Sequence, residues 1–502
     1  MNKNVFQRAT DYQMNNRLRR LFIAAIPAIV AYFHGSCYAA ADAPLALTGH
    51  SQLFLDDYLI NSMENLARAI VHPDKHPANP LVSQDLPWEA RCLEIYGTVL
   101  YEQDRDLFRC WYLGSEHNGD VPDTPEHPKT AEYVTCYAES RDGIVWSKPF
   151  AGPKPYGSRK EHNILIEGTH GFCVLNEPDE PDSLKKYKGA GGPLFGFSPD
   201  GIHWETHDWR PAVGKNDTSS CVVRWKDEYL AYVRSQISDP NWPGVMRGVG
   251  LSVSSDFQTW APKTTIFTTD AIDGYPWVQP YGVSVTPYGD VLVGILWMLH
   301  LDRVDGNNGV GEQDTQLIVS RDGRNWHRVA ERQPFLTPTS GSWDRGGVFP
   351  GTTMFTKDDR LYIYYTGKSG RHGEGSGAMG IGLATLPADR FVAVRQVDTD
   401  KPGILVTRLL RFSGDDLLVN ADIGNGDMDV EILDEDGRPL GGFTQAHCQL
   451  IPVDPLRYRV AWISDGKAQS LGDAKAQRAW AFRFVLRGGA LYAFRVIESG
   501  KP

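Results

Sequence analysis

Four carboxylate side chains, spread over most of the chain, are candidates for acid and base catalysis. They are Glu94, Asp217, Glu312 and Asp344. Cleavage of a glycosidic bond needs one carboxyl group as general acid and another as nucleophile or base. We expect Asp217 to be the base or nucleophile and either Glu94 or Glu312 to be the general acid. Asp344 would orient the substrate or tune a neighbouring pKa by like-charge proximity.

A second set of polar and aromatic side chains is suited to holding a substrate. Arginine and histidine can bind substrate oxygens or acidic groups, and aromatic rings can stack on sugar rings. The predicted substrate-binding residues are Trp88, Glu89, Arg234, Arg247, Tyr275, His300, Asp314 and His372. The sequence contains neither an HExxH nor a CxxC pattern, so we predict no metal site and no cofactor.

Each candidate carboxylate also has a purely structural interpretation. Asp217 directly precedes TSSCVVRW and could cap a turn. Glu94 could pair with Arg91 among apolar neighbours, and Asp344 could be a turn residue beside Arg345. Acidic residues in a glycine-rich loop, such as Glu312, are often only solvated. The sequence therefore leaves both interpretations open at every position.

A repeated segment predicts the elements that would position these residues. SRDGIVW (Ser140–Trp146) recurs as SPDGIHW (Ser198–Trp204), SSDFQTW (Ser254–Trp260) and SRDGRNW (Ser320–Trp326). Each copy has the chemistry of a tight β-turn and follows short β-branched or aromatic runs. A fifth unit lacks the turn and ends at LPADRF. The repeat predicts an all-β fold, a five-bladed β-propeller.

Propeller geometry then sorts the candidates by where they fall on the strands. The starts of first strands, the ends of second strands and the starts of third strands share one face of a propeller. The turns between third and fourth strands lie on the other face, so we expect the repeated turns to fasten the blades. The catalytic and binding candidates would converge on a pit at the first face.

Composition divides the chain into three predicted parts. Residues 1–41 combine arginines, an apolar run and small residues, which is typical of a signal peptide and predicts a periplasmic or secreted protein. Residues 50–400 hold the repeats and form the predicted catalytic propeller. Residues 404–502 alternate in the manner of strands without the repeated turn, which predicts a C-terminal β-sandwich. The six cysteines that follow the leader could form disulfides or stay as buried thiols, and we assign no bridge among them.

Charge limits the partners. The formal net charge is −11, and −15 without residues 1–41, so nucleic acid is not expected to bind. We expect a carbohydrate substrate, no integral membrane span after leader cleavage, and a monomer.

Several segments resemble a known group of proteins. LFLDDYLI, KHPANPL, PWE, YGTVLYE, the repeated turns and WDRGGVFP resemble exported bacterial proteins of the glycoside hydrolase family 32/family 43-like superfamily. The resemblance implies a five-bladed propeller with inward-facing acids and a C-terminal β-sandwich. The WMNDPNG-like, RDP and EC motifs of family 32 are absent from the sequence, so it does not imply fructan specificity.

The leading prediction is an exported glycoside hydrolase. The alternatives are a non-catalytic propeller that binds glycan or protein, and a lyase that relies on histidine and arginine. Two carboxyl groups roughly 5 to 10 Å apart across the pit would favour hydrolysis. A single acid among histidine and arginine would favour binding or elimination.

Overall fold

The computed structural model describes residues 43–116, 131–214, 221–305, 308–375, 377–424, 426–474 and 479–498. The predicted signal peptide lies outside these residues. Strands dominate the described chain, and its only α-helix is the four-residue α1 (Arg210–Val213). The predicted all-β class is confirmed. No helix among the described residues is long and apolar enough to span a membrane.

Six short strands precede the repeats. They are β1 (Leu45–Ala46), β2 (Gln52–Leu53), β3 (Ile60–Glu64), β4 (Leu66–Ile70), β5 (Asp74–Lys75) and β6 (Val82–Ser83). A 3-10 helix, Pro87–Glu89, then leads into the first sheet.

Five antiparallel sheets follow in chain order, and we number them one to five. Sheet one contains β7 (Cys92–Glu102), β8 (Leu107–Ser115), β9 (Val134–Ser140) and β10 (Ile164–Glu167). Sheet two contains β11 (Cys173–Asn176), β12 (Tyr187–Gly191), β13 (Leu194–Ser198) and β14 (Glu205–Asp208). Sheet three contains β15 (Cys221–Trp225), β16 (Glu228–Ile237), β17 (Met246–Ser254) and β18 (Thr264–Phe267).

The last two sheets are joined by one parallel pair, Gln313 with Gly347. Sheet four contains β19 (Val278–Tyr288), β20 (Val291–Asp305), β21 (Asn308–Ser320) and β22 (His327–Arg328). Sheet five contains β23 (Gly347–Pro350), β24 (Phe355–Lys357), β25 (Arg360–Lys368) and β26 (Met379–Pro387). Its outer edge is completed by β5 and β6 from the start of the chain, which pair with β26.

Hydrogen bonds between neighbouring first strands close the five sheets into a ring, as a propeller requires. Phe172 N donates to Tyr96 O between sheets two and one (2.8 Å), Val222 N to Cys173 Sγ between sheets three and two (3.3 Å), and Val285 N to Cys221 Sγ between sheets four and three (3.2 Å). Val285 N also donates to Thr352 O between sheets four and five (3.2 Å), and Thr352 N donates to Gly97 O between sheets five and one (2.9 Å). The first strands lie innermost, and β7 and β8 are buried along most of their length. Strands buried on both faces lack strict alternation of apolar and polar residues, as in CLEIYGTVLYE of β7 and LFRCWYLGS of β8.

Hydrogen bonds within each copy hold the repeated turns closed. In the first copy, Asp142 Oδ1 accepts hydrogen bonds from Ile144 N (2.8 Å) and Val145 N (2.7 Å), and the indole of Trp146 donates to Gly143 O (3.2 Å). The other three copies repeat this pattern. Because the third strands end at these turns, the turns lie at the opposite end of the sheets from the starts of β17 and β21.

With one exception, the remaining strands form two further sheets. They are β27 (Val392–Gln396), β28 (Gly403–Thr407), β29 (Leu410–Arg411), β30 (Asp416–Asp422), β31 (Asp427–Leu433), β32 (Cys448–Pro452), β33 (Arg457–Ser464), β34 (Lys467–Gln469), β35 (Ala481–Arg487) and β36 (Ala490–Ile497). One sheet has the order β32-β33-β30-β36-β27-β4 with β2 and β34 attached, and the other has the order β3-β28-β35-β31. Their shared core includes Phe54, Trp462, Phe482 and Phe494. The exception is β29, which pairs with β1 in a two-stranded parallel sheet.

The strand pairing differs from the boundaries drawn from sequence. Residues 52–70, placed in the propeller by the sequence analysis, supply β2, β3 and β4 to the two C-terminal sheets. Strand β27, before residue 404, pairs there as well. The pairings of β2, β3 and β4 join residues more than three hundred positions apart, which local sequence patterns do not encode.

Candidate functional site

One end of the propeller axis collects titratable and aromatic side chains from four of the five sheets. We call this set the axial cluster; it comprises Glu94, Tyr96, Arg234, Arg247, Tyr281, Phe349, Lys368 and His372. Its members lie at the starts of first and third strands and at or just beyond the ends of second strands. This is the distribution that the strand-end argument predicts.

Two tyrosines form the centre of the axial cluster. The hydroxyl of Tyr96 donates to the hydroxyl of Tyr281 (2.8 Å), and both rings pack on Phe349, with centroid distances of 4.8 and 6.3 Å. Each tyrosine lies at a register irregularity near the start of a first strand. Because a β-bulge re-aims the local side chains, these irregularities explain how both rings point at the axis. Burial raises the pKa of Tyr96 well above its ordinary value, so its hydroxyl stays protonated.

Glu94 and Lys368 form a buried ion pair between sheets one and five. The Lys368 ammonium contacts Glu94 Oε1, and the two side chains are only 9% and 8% exposed. The ammonium also lies 5.0 Å from the ring centroid of Phe349. Burial lowers the pKa of Lys368, but the Glu94 carboxylate and its other neighbours raise it more, so the net shift is upward. The lysine is therefore a permanent cation in the cluster.

Two arginines of sheet three approach the same tyrosine. The Arg234 guanidinium lies 4.4 Å from the Tyr281 ring centroid and donates to the Tyr281 carbonyl (2.6 Å). The Arg247 guanidinium lies 5.6 Å from the same ring and donates to Gln279 Oε1 (3.2 Å). Both guanidinium groups are buried, where charge-assisted contacts are strong.

His372 contributes a neutral imidazole. Its Nδ1 donates to the Gly309 carbonyl (2.7 Å), and its ring meets the Tyr281 ring edge-on at 5.0 Å. Burial and then the nearby charges of Lys368 and Arg247 lower its pKa to about 3. At neutral pH the imidazole is therefore an uncharged hydrogen-bonding group rather than a cation.

Three predicted residues stand at the same end of sheet four. His300, five residues before the end of β20, contacts Asp314 Oδ1 through Nε2 (2.9 Å), and both side chains are partly exposed. Glu312 pairs with His300 across the strands and is exposed. Asp217, the predicted nucleophile or base, falls in 215–220 and lies outside the described residues.

Asp344 sits in a different environment from the axial cluster. Its carboxylate contacts the Lys75 ammonium and accepts hydrogen bonds from Tyr365 Oη (3.2 Å) and Thr339 N (3.2 Å). It therefore ties the loop before β23 to β5, the edge strand that completes sheet five. The turn interpretation of Asp344 agrees with these contacts.

Glu89 and Trp88 belong to a buried network at the side of sheet one. Glu89 accepts from Tyr112 Oη (2.5 Å), Lys148 Nζ (2.8 Å) and two backbone amides of the preceding turn. Burial raises its pKa, against the opposing effect of Lys148. The indole of Trp88 donates to Asn163 Oδ1 (2.7 Å) and is 3% exposed, so in this structure it presents no free face to a sugar.

Tyr275 lies at the rim of the same propeller end. Its ring is 38% exposed, and its hydroxyl donates to Asp239 Oδ2 (3.3 Å). The neighbouring loop contributes Trp242, whose indole meets that of Trp277 at 5.0 Å and 82°.

Sequence reasoning missed Lys368, Tyr96, Tyr281 and Gln313. Lys368 ends a second strand, as Arg234 nearly does, so the same strand-end rule applied to TGK would have found it. The tyrosines share a Tyr-Gly pair at matching positions of first strands, Tyr96-Gly97 and Tyr281-Gly282. Gln313 carried no signal, although both polar atoms of its buried amide have no hydrogen-bond partner among the described residues.

Among the described residues, no group of three or more histidine, cysteine, aspartate or glutamate side chains is placed to hold a metal ion. The axial cluster offers Glu94, His372, the tyrosine pair and three buried cations for chemistry.

Comparisons with known proteins give weak structural similarity. No protein-family model matches the chain, and no curated protein matches it. One similar structure was reported for the GH130 family of mannoside phosphorylases, which contains glycoside hydrolases that target β-1,2 mannosidic linkages in Candida mannan. It is 14% identical in sequence to this chain, the match covers 68% of this chain and 99% of the other, and the TM-score is 0.42. A glycosyl hydrolase from Bacteroides ovatus is 14% identical, covers 68% of this chain and 99% of its own, and has a TM-score of 0.41. The GH32 β-fructofuranosidase BmSUC1 of Bombyx mori is 10% identical, covers 85% of this chain and 94% of its own, and has a TM-score of 0.35.

Proposed function

We propose that the protein is a glycoside hydrolase that binds a poly- or oligosaccharide at the axial cluster. The observation that carries the proposal is the convergence of Glu94, His372 and hydrogen-bonding tyrosines at one end of the axis, delivered by different sheets. Aromatic faces combined with a few oriented polar groups are typical of small-molecule sites.

The ion pair bears on the role that Glu94 would have. A general acid must carry a proton, whereas a partner for the Lys368 ammonium must be a carboxylate. Glu94 therefore suits the part of nucleophile, base or electrostatic stabiliser better than that of general acid. The acid would then be Asp217, which precedes β15, or Glu312 at the start of β21. This reverses the division of roles favoured by the sequence alone.

The lyase alternative has its own supporting observation. Elimination from a uronate requires cations around the sugar carboxylate, a base that removes the proton beside it, and an acid that protonates the departing oxygen. Arg234 and Arg247 supply cations. The His372 imidazole and the Tyr96 hydroxyl, both in contact with Tyr281, are the groups that would take up and release the protons. Glu94 would then serve only to hold Lys368 in place.

Product analysis separates the two reactions. The purified protein is screened against neutral and uronate-containing polysaccharides, and both reducing ends and ultraviolet absorbance from a new carbon–carbon double bond are measured. Hydrolysis yields reducing ends alone, whereas elimination yields both signals. For a hydrolase, Glu94→Gln should lower kcat about a hundredfold or more, and comparison of Asp217→Asn with Glu312→Gln identifies the acid. Full activity in Glu94→Gln would refute the proposed role.

The location is part of the proposal. We infer that the protein is exported, on the basis of the arginine-flanked apolar run within residues 1–41. Mass spectrometry of the protein recovered from its native compartment tests this through the mass of the mature amino terminus.

A further inference from the structure

The rim of the axial site carries an aromatic corner that the proposed catalytic roles do not use. It consists of Trp242, Trp277 and Tyr275, from the loops 238–245 and 268–277. We propose that this corner is a second sugar-binding subsite, which takes a neutral ring of the same saccharide chain beyond the ring held at the axial cluster. The inference rests on the proposed function, because it assumes that the ligand is a saccharide.

The two indole rings of the corner are nearly perpendicular to each other. The indole centroids of Trp242 and Trp277 lie 5.0 Å apart with their planes at 82°, so the edge of one ring meets the face of the other. Both indoles are partly exposed and pack against the core that contains Tyr96 and Tyr281. A pyranose ring has an apolar face of C–H groups, which matches an aromatic face, and hydroxyls at its rim, which need polar partners.

Polar partners are present beside the indoles. The Asp239 carboxylate accepts from Asn241 N (2.8 Å) and from Tyr275 Oη (3.3 Å), and it is half-buried next to the exposed Tyr275 ring. A carboxylate is a good acceptor for sugar hydroxyls, and its negative charge disfavours an anionic ring at this position. This is why we assign the subsite to a neutral sugar.

The loop that presents the corner is held in place before any ligand arrives. Arg332 binds both oxygens of Asp270 (2.6 and 2.8 Å), and Arg328 binds the buried Asp273 (2.5 Å). The Trp277 carbonyl accepts from Leu301 N of β20 (2.8 Å). Yet the same loop exposes Ile272, which is 78% accessible, and Tyr275. Apolar side chains held out by an anchored loop favour binding, because little ordering remains to be done on association.

The corner is continuous with the axial cluster along the chain. Trp242 lies five residues before Arg247, and Trp277 lies two residues before Gln279, which accepts the hydrogen bond of Arg247. A saccharide that enters the axial cluster from this side would therefore pass the indoles. The expected substrate is an oligosaccharide or polysaccharide, in contrast to the glycoside of a single sugar.

The test compares chain lengths. Titrations of a neutral oligosaccharide series, from disaccharide to hexasaccharide, follow binding by calorimetry in the Glu94→Gln background, and hydrolysis of aryl glycosides and oligosaccharides is measured in the otherwise unchanged enzyme. We expect Trp242→Ala and Trp277→Ala each to weaken oligosaccharide binding roughly tenfold or more, as aromatic anchors of binding sites do. They should also lower kcat/KM for oligosaccharides relative to aryl glycosides by a similar factor. Trp242→Phe, which keeps an aromatic face, should recover part of the loss.

Trp225→Ala is the matched control. Trp225 is also partly exposed and lies in sheet three, but it stands beside Arg321 of a repeated turn, at the far end of the propeller. It should leave both measurements unchanged. Circular dichroism and thermal midpoints establish that each variant is folded.

The outcomes separate this inference from the proposed function. Oligosaccharide binding that depends on Trp242, in a protein that hydrolyses nothing, would uphold the subsite and defeat the hydrolase. Hydrolysis with unchanged chain-length preference in folded Trp242→Ala and Trp277→Ala would overturn the subsite and leave the hydrolase intact. Equal losses for aryl glycosides and oligosaccharides would also overturn it, because the indoles would then only support the axial cluster.

Discussion

Replacement of Lys368 by methionine removes one half of the buried ion pair and leaves Glu94 without its cation. The two side chains are 9% and 8% exposed, so water cannot take over the role of the ammonium. Breaking a buried pair by deleting one partner costs about 3–5 kcal/mol, because the remaining charge is buried and uncompensated. Whole domains are stable by only about 5–15 kcal/mol. We therefore expect Lys368→Met to lose a large fraction of the free energy of unfolding.

Urea unfolding followed by tryptophan fluorescence measures this loss, and two controls show whether the loss comes from the uncompensated buried charge. The double variant Glu94→Leu/Lys368→Met removes both charges and should lie close to the parent, since a buried pair and a well-packed apolar pair are of similar stability. Arg324→Met breaks an ion pair with Glu228 whose side chains are 43% and 44% exposed, and should cost at most about 1 kcal/mol.

Two outcomes would contradict this reasoning. A Lys368→Met variant within about 1 kcal/mol of the parent at neutral pH would refute the buried pair. So would a double variant as unstable as the single one.

Two further predictions concern His372 and the repeated turns. The pKa of His372 is about 3 in the folded protein and 6.5 in the unfolded chain, so between these values the unfolded chain binds a proton that the folded protein does not. The contribution of the neutral imidazole to the free energy of unfolding is therefore intact above pH 6.5 and is lost as the pH falls towards 3. His372→Asn should flatten the acid side of a plot of unfolding midpoint against pH, and an unchanged slope would contradict the burial of the imidazole. Asp322 accepts from the backbone amides of Arg324 (2.8 Å) and Asn325 (2.7 Å), so Asp322→Ala should cost about 1–3 kcal/mol in thermal unfolding. Its kcat should be that of the parent, and a lower kcat in folded protein would mean that the turns take part in function.

The sequence predicted the sheets and much of the axial cluster because both depend on local patterns. The repeated turns are built from bonds within seven residues, so their sequence is sufficient to recognise them. Placement at strand starts and ends then brought Glu94, Arg234, Arg247 and His372 to one end of the propeller. These assignments needed only strand order and direction, which a repeat supplies.

The same rule could not distinguish side chains that point at the axis from those that point between sheets. Asp344 and Glu89 satisfy it by position, yet one binds Lys75 of an edge strand and the other binds Lys148 and Tyr112. Which way a side chain points depends on bulges and on partners far away in the chain. Pairing of Glu94 with Lys368, 274 positions later, is decided only when sheets one and five meet.

The axis itself gives the strongest physical reason to regard its cluster as functional. Deeper along the same first strands, Thr98, Cys173, Cys221 and Thr352 close the ring with small side chains that bond to one another and to the backbone. That arrangement shows that five strands can meet at an axis without carboxylate, ammonium or guanidinium groups. At the cluster end the same strands and their neighbours instead bury Glu94, Lys368 and two arginines, each of which is costly to desolvate. Ring closure does not require that cost, and a ligand that uses those groups would explain why the fold bears it.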